Sequence, residues 1–175
     1  PEGLLRVEST AFHGCHSLQE ITIPTSVQYI GGNTFSKCKS LRRVVFAVTT
    51  NVVELGETMF WDCTNLRFVT LPPNLQKIPW RFFQGCTSLV NLQIPESVVI
   101  IESFAFCGSG IQTIDIPGKV HRIGWEAFCN CSFLTKVSIH SSSNLNMGNN
   151  VFLNCPLLSV IMIAPWLWST LFASM

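Results

Sequence analysis

The chain has 175 residues, of which 47% are hydrophobic and 12% charged, with 11 Lys and Arg against 10 Asp and Glu for a formal net charge of +1. That length and apolar content suffice for one domain with a sizeable core. The charged share is about half the usual one, and so even a balance points to neither nucleic acid nor an acidic substrate.

Taken in chain order, seven related strings follow one another: "AFHGCHSLQEITIPTSV" from Ala11, "TFSKCKSLRRVVF" from Thr34, "MFWDCTNLRFVTLPPNL" from Met59, "RFFQGCTSLVNLQIPESV" from Arg81, "AFCGSGIQTIDIPGKV" from Ala105, "AFCNCSFLTKVSIH" from Ala127 and "VFLNCPLLSVIMIAP" from Val151. Their anchors are Phe12, Phe35, Phe60, Phe83, Phe106, Phe128 and Phe152, spaced 22 to 25 residues apart. Three residues after each anchor stand Cys15, Cys38, Cys63, Cys86, Ser109, Cys131 and Cys155, and a Leu or Ile follows at Leu18, Leu41, Leu66, Leu89, Ile111, Leu134 and Leu158. A repeat of 20–29 residues with this apolar spacing defines a leucine-rich solenoid. The expected fold is therefore β-rich, seven coils of 22–25 residues with short parallel strands over residues 1–163, followed by an apolar C-terminal tail or lid over 164–175.

Within one coil, Leu89 to Ile94 alternates so that Leu92 and Ile94 face inward while Asn91 and Gln93 face outward. Pro24, Pro72, Pro95 and Pro117 then end the strand, since proline has no amide hydrogen for a ladder. A second apolar pair, as in Val27 and Ile30 or Val98 and Ile101, predicts a short extended segment on the opposite side. Gly31, Gly56, Gly124 and Gly148 come next, where a tight corner would need positive φ, although Pro79 and Glu102 hold the same place. The Phe plugs the interior. Coils stacked about 4.8 Å apart predict one sheet running the length of a rod or shallow arc of roughly 35 Å.

The pattern "IG-x-x-A-F-x-x-C-x-x-L-x-x-V-x-IP-x-S-V-x-x-I" resembles the BspA-like leucine-rich repeat family, the Treponema pallidum type, from about Leu4 to Ile163. "HRIGWEAFCNCSFLTKVSIH" is among its clearest copies; the insertion around "AVTTNVVELG", the shortened fifth repeat with Ser109 and Ile111, and the proline-less "SIHSSSNLNMGNN" depart from it. The resemblance implies a surface or interaction protein that binds other proteins or matrix, and a cell-surface location.

Six of the eight cysteines share one repeat position, which reads as an internal ladder of small buried free thiols that Ser109 can join. A reduced ladder points to an intracellular or organellar setting, since secreted proteins more often pair their thiols. No paired C-x-x-C knuckles occur; Cys129 and Cys131 should point apart, outward and inward, leaving only the cluster of His13, Cys15 and His16, so no metal is expected. No catalytic residue is assigned either: His121 and His140 lack a neighbouring acid, and there is no phosphate-cradling or dinucleotide glycine motif. The chain is expected to be non-enzymatic, without cofactor, small-molecule substrate or nucleic acid. No uncharged apolar run of the ~18 residues a membrane helix needs stands clear of the repeats, and no charged-then-apolar leader opens the sequence, so any targeting segment is expected to be removed or not included.

Repeat proteins bind through the ladder of side chains on one face. Two outward columns run Glu20, Arg43, Phe68, Asn91, Thr113, Lys136, Val160 and Thr22, Val45, Thr70, Gln93, Asp115, Ser138, Met162. They read either as an ordinary β surface or as a docking surface for a protein partner. On the second reading Lys37, Lys39, Arg42 and Arg43 form a basic patch beside Phe68, and Arg42, Arg43, Phe68, Asn91 and Gln93 are the partner-binding candidates. No Asp, Glu, Lys or Arg follows Lys136 in the remaining 39 residues, and the last of these add Trp166, Trp168 and Phe172 where a polar cap should shield the final coil. This end is expected either to fold back as a lid or to dock the chain, as an accessory structural subunit, into a larger, membrane-bound or organellar assembly.

Overall fold

The structure, a computed structural model, describes residues 3–47, 54–140 and 145–163. Seven Phe-bearing levels stack into a parallel β-solenoid, and no helix occurs among the described residues. Each level offers up to two strands. The short ones precede the Phe: β1 Arg6–Val7, β3 Tyr29–Ile30, β5 Glu54–Leu55, β7 Lys77–Ile78, β8 Ile100–Ile101, β10 Arg122–Ile123 and β12 Asn146–Met147. The longer ones follow it: β2 Glu20–Ile23, β4 Arg43–Phe46, β6 Phe68–Thr70, β9 Thr113–Ile116, β11 Lys136–Ile139 and β13 Val160–Ile163. The second apolar pair thus does form an opposite short strand, with Val27, Ile30, Val98 and Ile101 all buried.

The third side of each coil is the Phe corner, and it is continuous. Phe12, Phe35, Phe60, Phe83, Phe106, Phe128 and Phe152 stack ring on ring, with centroids 4.9–5.7 Å apart and planes within 23°. Around each ring the backbone alternates handedness. The residue two before the Phe (Thr10, Asn33, Thr58, Arg81, Phe104, Glu126, Asn150) and the residue two after it (Gly14, Lys37, Asp62, Gly85, Gly108, Asn130, Asn154) all have φ between 53° and 74°. That conformation points three amides per level at the next coil. Thr10, Phe12 and Gly14 donate to the carbonyls of Gly32, Thr34 and Ser36 at 2.9–3.0 Å, and the same three donors recur at every junction up to Glu126, Phe128 and Asn130.

The corner glycines have a different role from the expected one. Gly31, Gly56, Gly124 and Gly148 are not left-handed. A side chain at Gly56 would collide with the Gly32 backbone, and one at Gly148 would lie 2.6 Å from the Trp125 amide nitrogen. Absence of a side chain, rather than freedom of φ, lets neighbouring coils close up there.

The expected end-to-end sheet is interrupted on both strand faces. The long strands form two sheets, β2-β4-β6 and β9-β11-β13, and the short ones form β1-β3-β5 and β7-β8-β10-β12. On the short face the cause is Pro79. Its counterparts Gly31, Gly56, Glu102, Gly124 and Gly148 each donate their amide to the preceding coil, as Glu102 does to Ile78 at 2.9 Å, and proline has nothing to donate. On the long face the fourth level, Asn91 to Ile94, joins no ladder. Beneath this junction Met59 and Phe82, both fully buried, fill the position held elsewhere by Ala11, Thr34, Ala105, Ala127 and Val151. Phe82 packs edge-on to Phe60 and Phe83 at 5.2 and 4.8 Å. Such bulk in a close-packed interior shifts the backbone, which accounts for coils that stay joined at the Phe corner and part on the far face.

Candidate functional site

The parted coils leave a groove of about 1470 Å³ on the long-strand face, lined by Arg67 to Leu71, Val90 to Glu96, Thr113, Asp115 and His140 among others. Three strand-like segments supply its walls: β6 of the third level, residues 91–94 of the fourth and β9 of the fifth. Between them the backbone is open past the bond from the Gln112 amide to the Val90 carbonyl at 3.1 Å. Among the described residues, Asn91, Leu92, Gln93 and Ile94 make no backbone hydrogen bond, and β6 and β9 each pair on one edge only. Unpaired main-chain amides and carbonyls are costly wherever water is displaced from them, so the groove favours an occupant that brings matching donors and acceptors. Its ends differ in charge: Arg67 stands where the strands begin, and Glu96, with Asp115, stands towards where they finish.

The strand register read from the sequence holds within each sheet. Glu20, Arg43 and Phe68 are in register, as are Thr113, Lys136 and Val160. Of the candidate residues, Phe68, Asn91 and Gln93 line the groove. Arg43 reaches it through Phe68, its guanidinium lying 4.6 Å from the centroid of that ring, which is 43% exposed. Arg42 is exposed beside them. The basic patch is divided, because Lys37 sits on the Phe corner over the Trp61 ring at 4.7 Å. Ser138, read as outward, is buried, whereas Ile161, read as inward, is 45% exposed on the last described level. Trp166, Trp168 and Phe172 lie outside the described residues. The sequence reading missed Arg67, Glu96 and His140; each flanks a strand rather than belonging to an outward column, so period-two counting passes over it.

All eight cysteines are free, but most are more than apolar filler. The Sγ of Cys38, Cys63, Cys86, Cys131 and Cys155 donates to the carbonyl of Phe12, Phe35, Phe60, Phe106 and Phe128 respectively, at 3.0–3.1 Å. Each thiol thus ties its level to the Phe of the level before. Ser109 instead faces the Cys131 sulfur at 3.5 Å. Burial pushes the Cys63 and Cys86 thiols well above their ordinary range, with the neighbouring cysteine in the ladder adding to it. The ladder loses its burial at its ends: Cys15 is exposed and Cys155 half-buried. Cys129, expected to face outward, is fully buried. No group of three or more His, Cys, Asp or Glu arranged to hold a metal occurs among the described residues.

A stack of parallel coils with an aromatic spine and one grooved strand face defines the class: a leucine-rich-repeat β-solenoid. The family model for the BspA type leucine rich repeat region matches in 6 copies over residues 1–84 and 53–166, and the chain belongs to that family. Among solved structures it resembles a T. pallidum leucine rich repeat protein, at 29% identity and a TM-score of 0.79, over 91% of this chain and 74% of that one. It shares its fold with a leucine rich cell surface protein from Faecalibacterium prausnitzii, at 22% identity and a TM-score of 0.61, over 90% and 64% of the two chains. The same holds for a leucine-rich repeat protein from Bacteroides ovatus, at 22% identity and a TM-score of 0.54, over 91% and 59%. The chain therefore spans less than two thirds of the length of the last two. A search of curated proteins gives no match. The family points to a protein-binding or surface repeat protein, and its solenoid fold is typically non-enzymatic.

Proposed function

We propose that the chain is a non-enzymatic binding module that takes an extended segment of a partner protein into the groove over its third to fifth levels. The observation that carries this reading is the open backbone of Asn91 to Ile94. An extended polypeptide matches such edges by strand addition, with main-chain hydrogen bonds giving affinity and alternate side chains giving specificity. Phe68, Asn91 and Gln93 would contact the segment, and Arg42 and Arg43 would flank it. The charge at the two ends favours a segment with an acidic residue near Arg67 and a basic one near Glu96 and Asp115.

The test is selection of short linear peptides from a displayed random library, followed by hydrogen exchange on the complex. Selected peptides should protect the amides of residues 91–94 and lose binding when alternate peptide nitrogens are methylated. Binders that leave those amides unprotected would overturn the reading.

A second reading, an accessory subunit held in a larger assembly by its C-terminal end, rests on a different observation. Leu153, Leu157, Val160, Ile161 and Met162 are all exposed on the seventh level, and large apolar patches are normally covered. Deleting residues 164–175 distinguishes its forms. Loss of a lid should aggregate the isolated chain, whereas loss of a docking element should leave a soluble solenoid that no longer joins its assembly.

A further inference from the structure

Cys107 and Cys129 stand outside the thiol ladder. Each directly follows its Phe, at equivalent places in the fifth and sixth levels. The two levels are drawn together around them: Phe106 and Phe128 are the most closely stacked of the spine rings at 4.9 Å, and the bonds from Phe106 to Ala127 and from Gly108 to Cys129, at 2.7 and 2.8 Å, bracket Cys107. Both sulfurs lie 3.7 Å from one atom, the Asn130 side-chain nitrogen, so they share a single small space beneath an exposed amide. Equivalent residues on adjacent coils lie about 4.8 Å apart, inside the 4.4–6.8 Å range of Cα separations that a disulfide spans.

We propose that Cys107 and Cys129 form a site of reversible oxidation, joined as a disulfide between the fifth and sixth levels by reaction with a small-molecule disulfide of the glutathione class.

The other neighbouring thiols are disfavoured by what they already hold. Cys38, Cys63 and Cys86 commit their S–H groups to main-chain carbonyls and are fully buried. Joining Cys131 to Cys155 would sacrifice two such bonds, to Phe106 and Phe128. Cys107 and Cys129 have no carbonyl acceptor among the described residues; they would give up their long contacts with Asn130 and the contact of Cys129 with Glu126, while the contact between the two thiols themselves is the one that a disulfide replaces. Cys107 is also 8% exposed, whereas Cys129 is fully covered, which fixes the order of events. Burial, with Cys107 and Glu126 beside it, keeps Cys129 protonated until late. The Cys107 thiolate attacks one sulfur of oxidised glutathione, whose S–S bond breaks and releases one glutathione thiolate. The Cys129 sulfur then loses its proton, attacks the Cys107 sulfur of the mixed disulfide and releases the second glutathione. The two protein thiols are oxidised, one glutathione disulfide is reduced to two thiols, and the two protons pass to those thiols.

The folded, reduced chain should be incubated with oxidised glutathione, its remaining thiols alkylated, and the digest mapped without reductant. The expected result is one linked peptide pair containing Cys107 and Cys129, cleaved by dithiothreitol, with Cys63 and Cys86 still free. The Cys129→Ser chain should stop at a stable glutathione adduct on Cys107, and Cys107→Ser should leave Cys129 unmodified. A link between any other pair, or persistence of both thiols unlinked in the folded wild-type chain, would overturn the proposal.

Discussion

The Phe corner and the long-strand face are built from the same repeats, yet only one of them is continuous. At the junction of the third and fourth levels the corner keeps its three bonds, from Thr58, Phe60 and Asp62 to Trp80, Phe82 and Gln84 at 2.9–3.0 Å. At the same junction the long-face ladder and the short-face ladder are both broken. Cohesion along the axis therefore resides in the aromatic spine with its backbone bonds, and the strands are free to part on the other two sides. In a solenoid, where each level touches only its neighbours, a break on two sides is survivable only because the third side is unbroken.

The most direct way to break this contrast is Phe83→Ala. Phe83 is fully buried between Phe60 and Phe106, and it sits where the other two sides contribute least. Its truncation should cost about 3–5 kcal/mol in urea denaturation, and a loss below about 1 kcal/mol would deny the corner its role. Alkali supplies the next largest effect. The Cys63 and Cys86 thiols are raised in the folded chain above their ordinary value of 9.0, so the unfolded chain releases those protons first. The stability they confer is complete below about pH 8.5 and declines as the pH climbs. The decline should reach about 1.4 kcal/mol per thiol one unit above the unfolded value. Thermal melting under reductant at pH 8 and pH 10 should show this fall, and the Cys63→Ala, Cys86→Ala double variant should show less of it.

Gly56→Ala tests the close approach of coils beside the corner, and overpacking of this kind costs about 1–3 kcal/mol. An unchanged denaturation midpoint would mean that the Gly32 backbone yields freely. Pro79→Glu sharpens the comparison at the smallest scale. It restores an amide that can donate to Leu55 as Glu102 donates to Ile78. The gain of one hydrogen bond, about 1 kcal/mol, is offset by the lost rigidity of proline, about 0.4–1 kcal/mol. Stability should hardly move, while hydrogen exchange should find the new amide protected and residues 91–94 still open.

Much of the architecture was legible because columns of identical chemistry recur at a fixed period. Phe35 through Phe128 and Cys38 through Cys86 fell inside as their spacing required, and the outward columns gave the register of both long-face sheets. The groove was not legible as a column, since it comes from exceptions to the repeat. Met59 and Phe82 stand in a small-residue position and Pro79 in a donor position, and their consequences appear only when three coils are stacked. The left-handed residues divide the same way. Gly14, Asp62, Gly85, Gly108, Asn130 and Asn154 are types that favour positive φ, a signal present in the sequence. Arg81, Phe104 and Glu126 are not, and they hold that conformation because both neighbouring coils require it.

The corner ladder is also electrically one-sided. Every amide from Thr10 to Asn130 in it points towards the higher-numbered levels and every accepting carbonyl points back. Peptide dipoles of about 3.5 D therefore add along the axis instead of alternating as they do in strands. The corner thus carries an axial dipole with no helix among the described residues, its positive end towards the seventh level, while on the strand faces Gly31, Gly56, Glu102 and Gly124 donate the other way, to the preceding level.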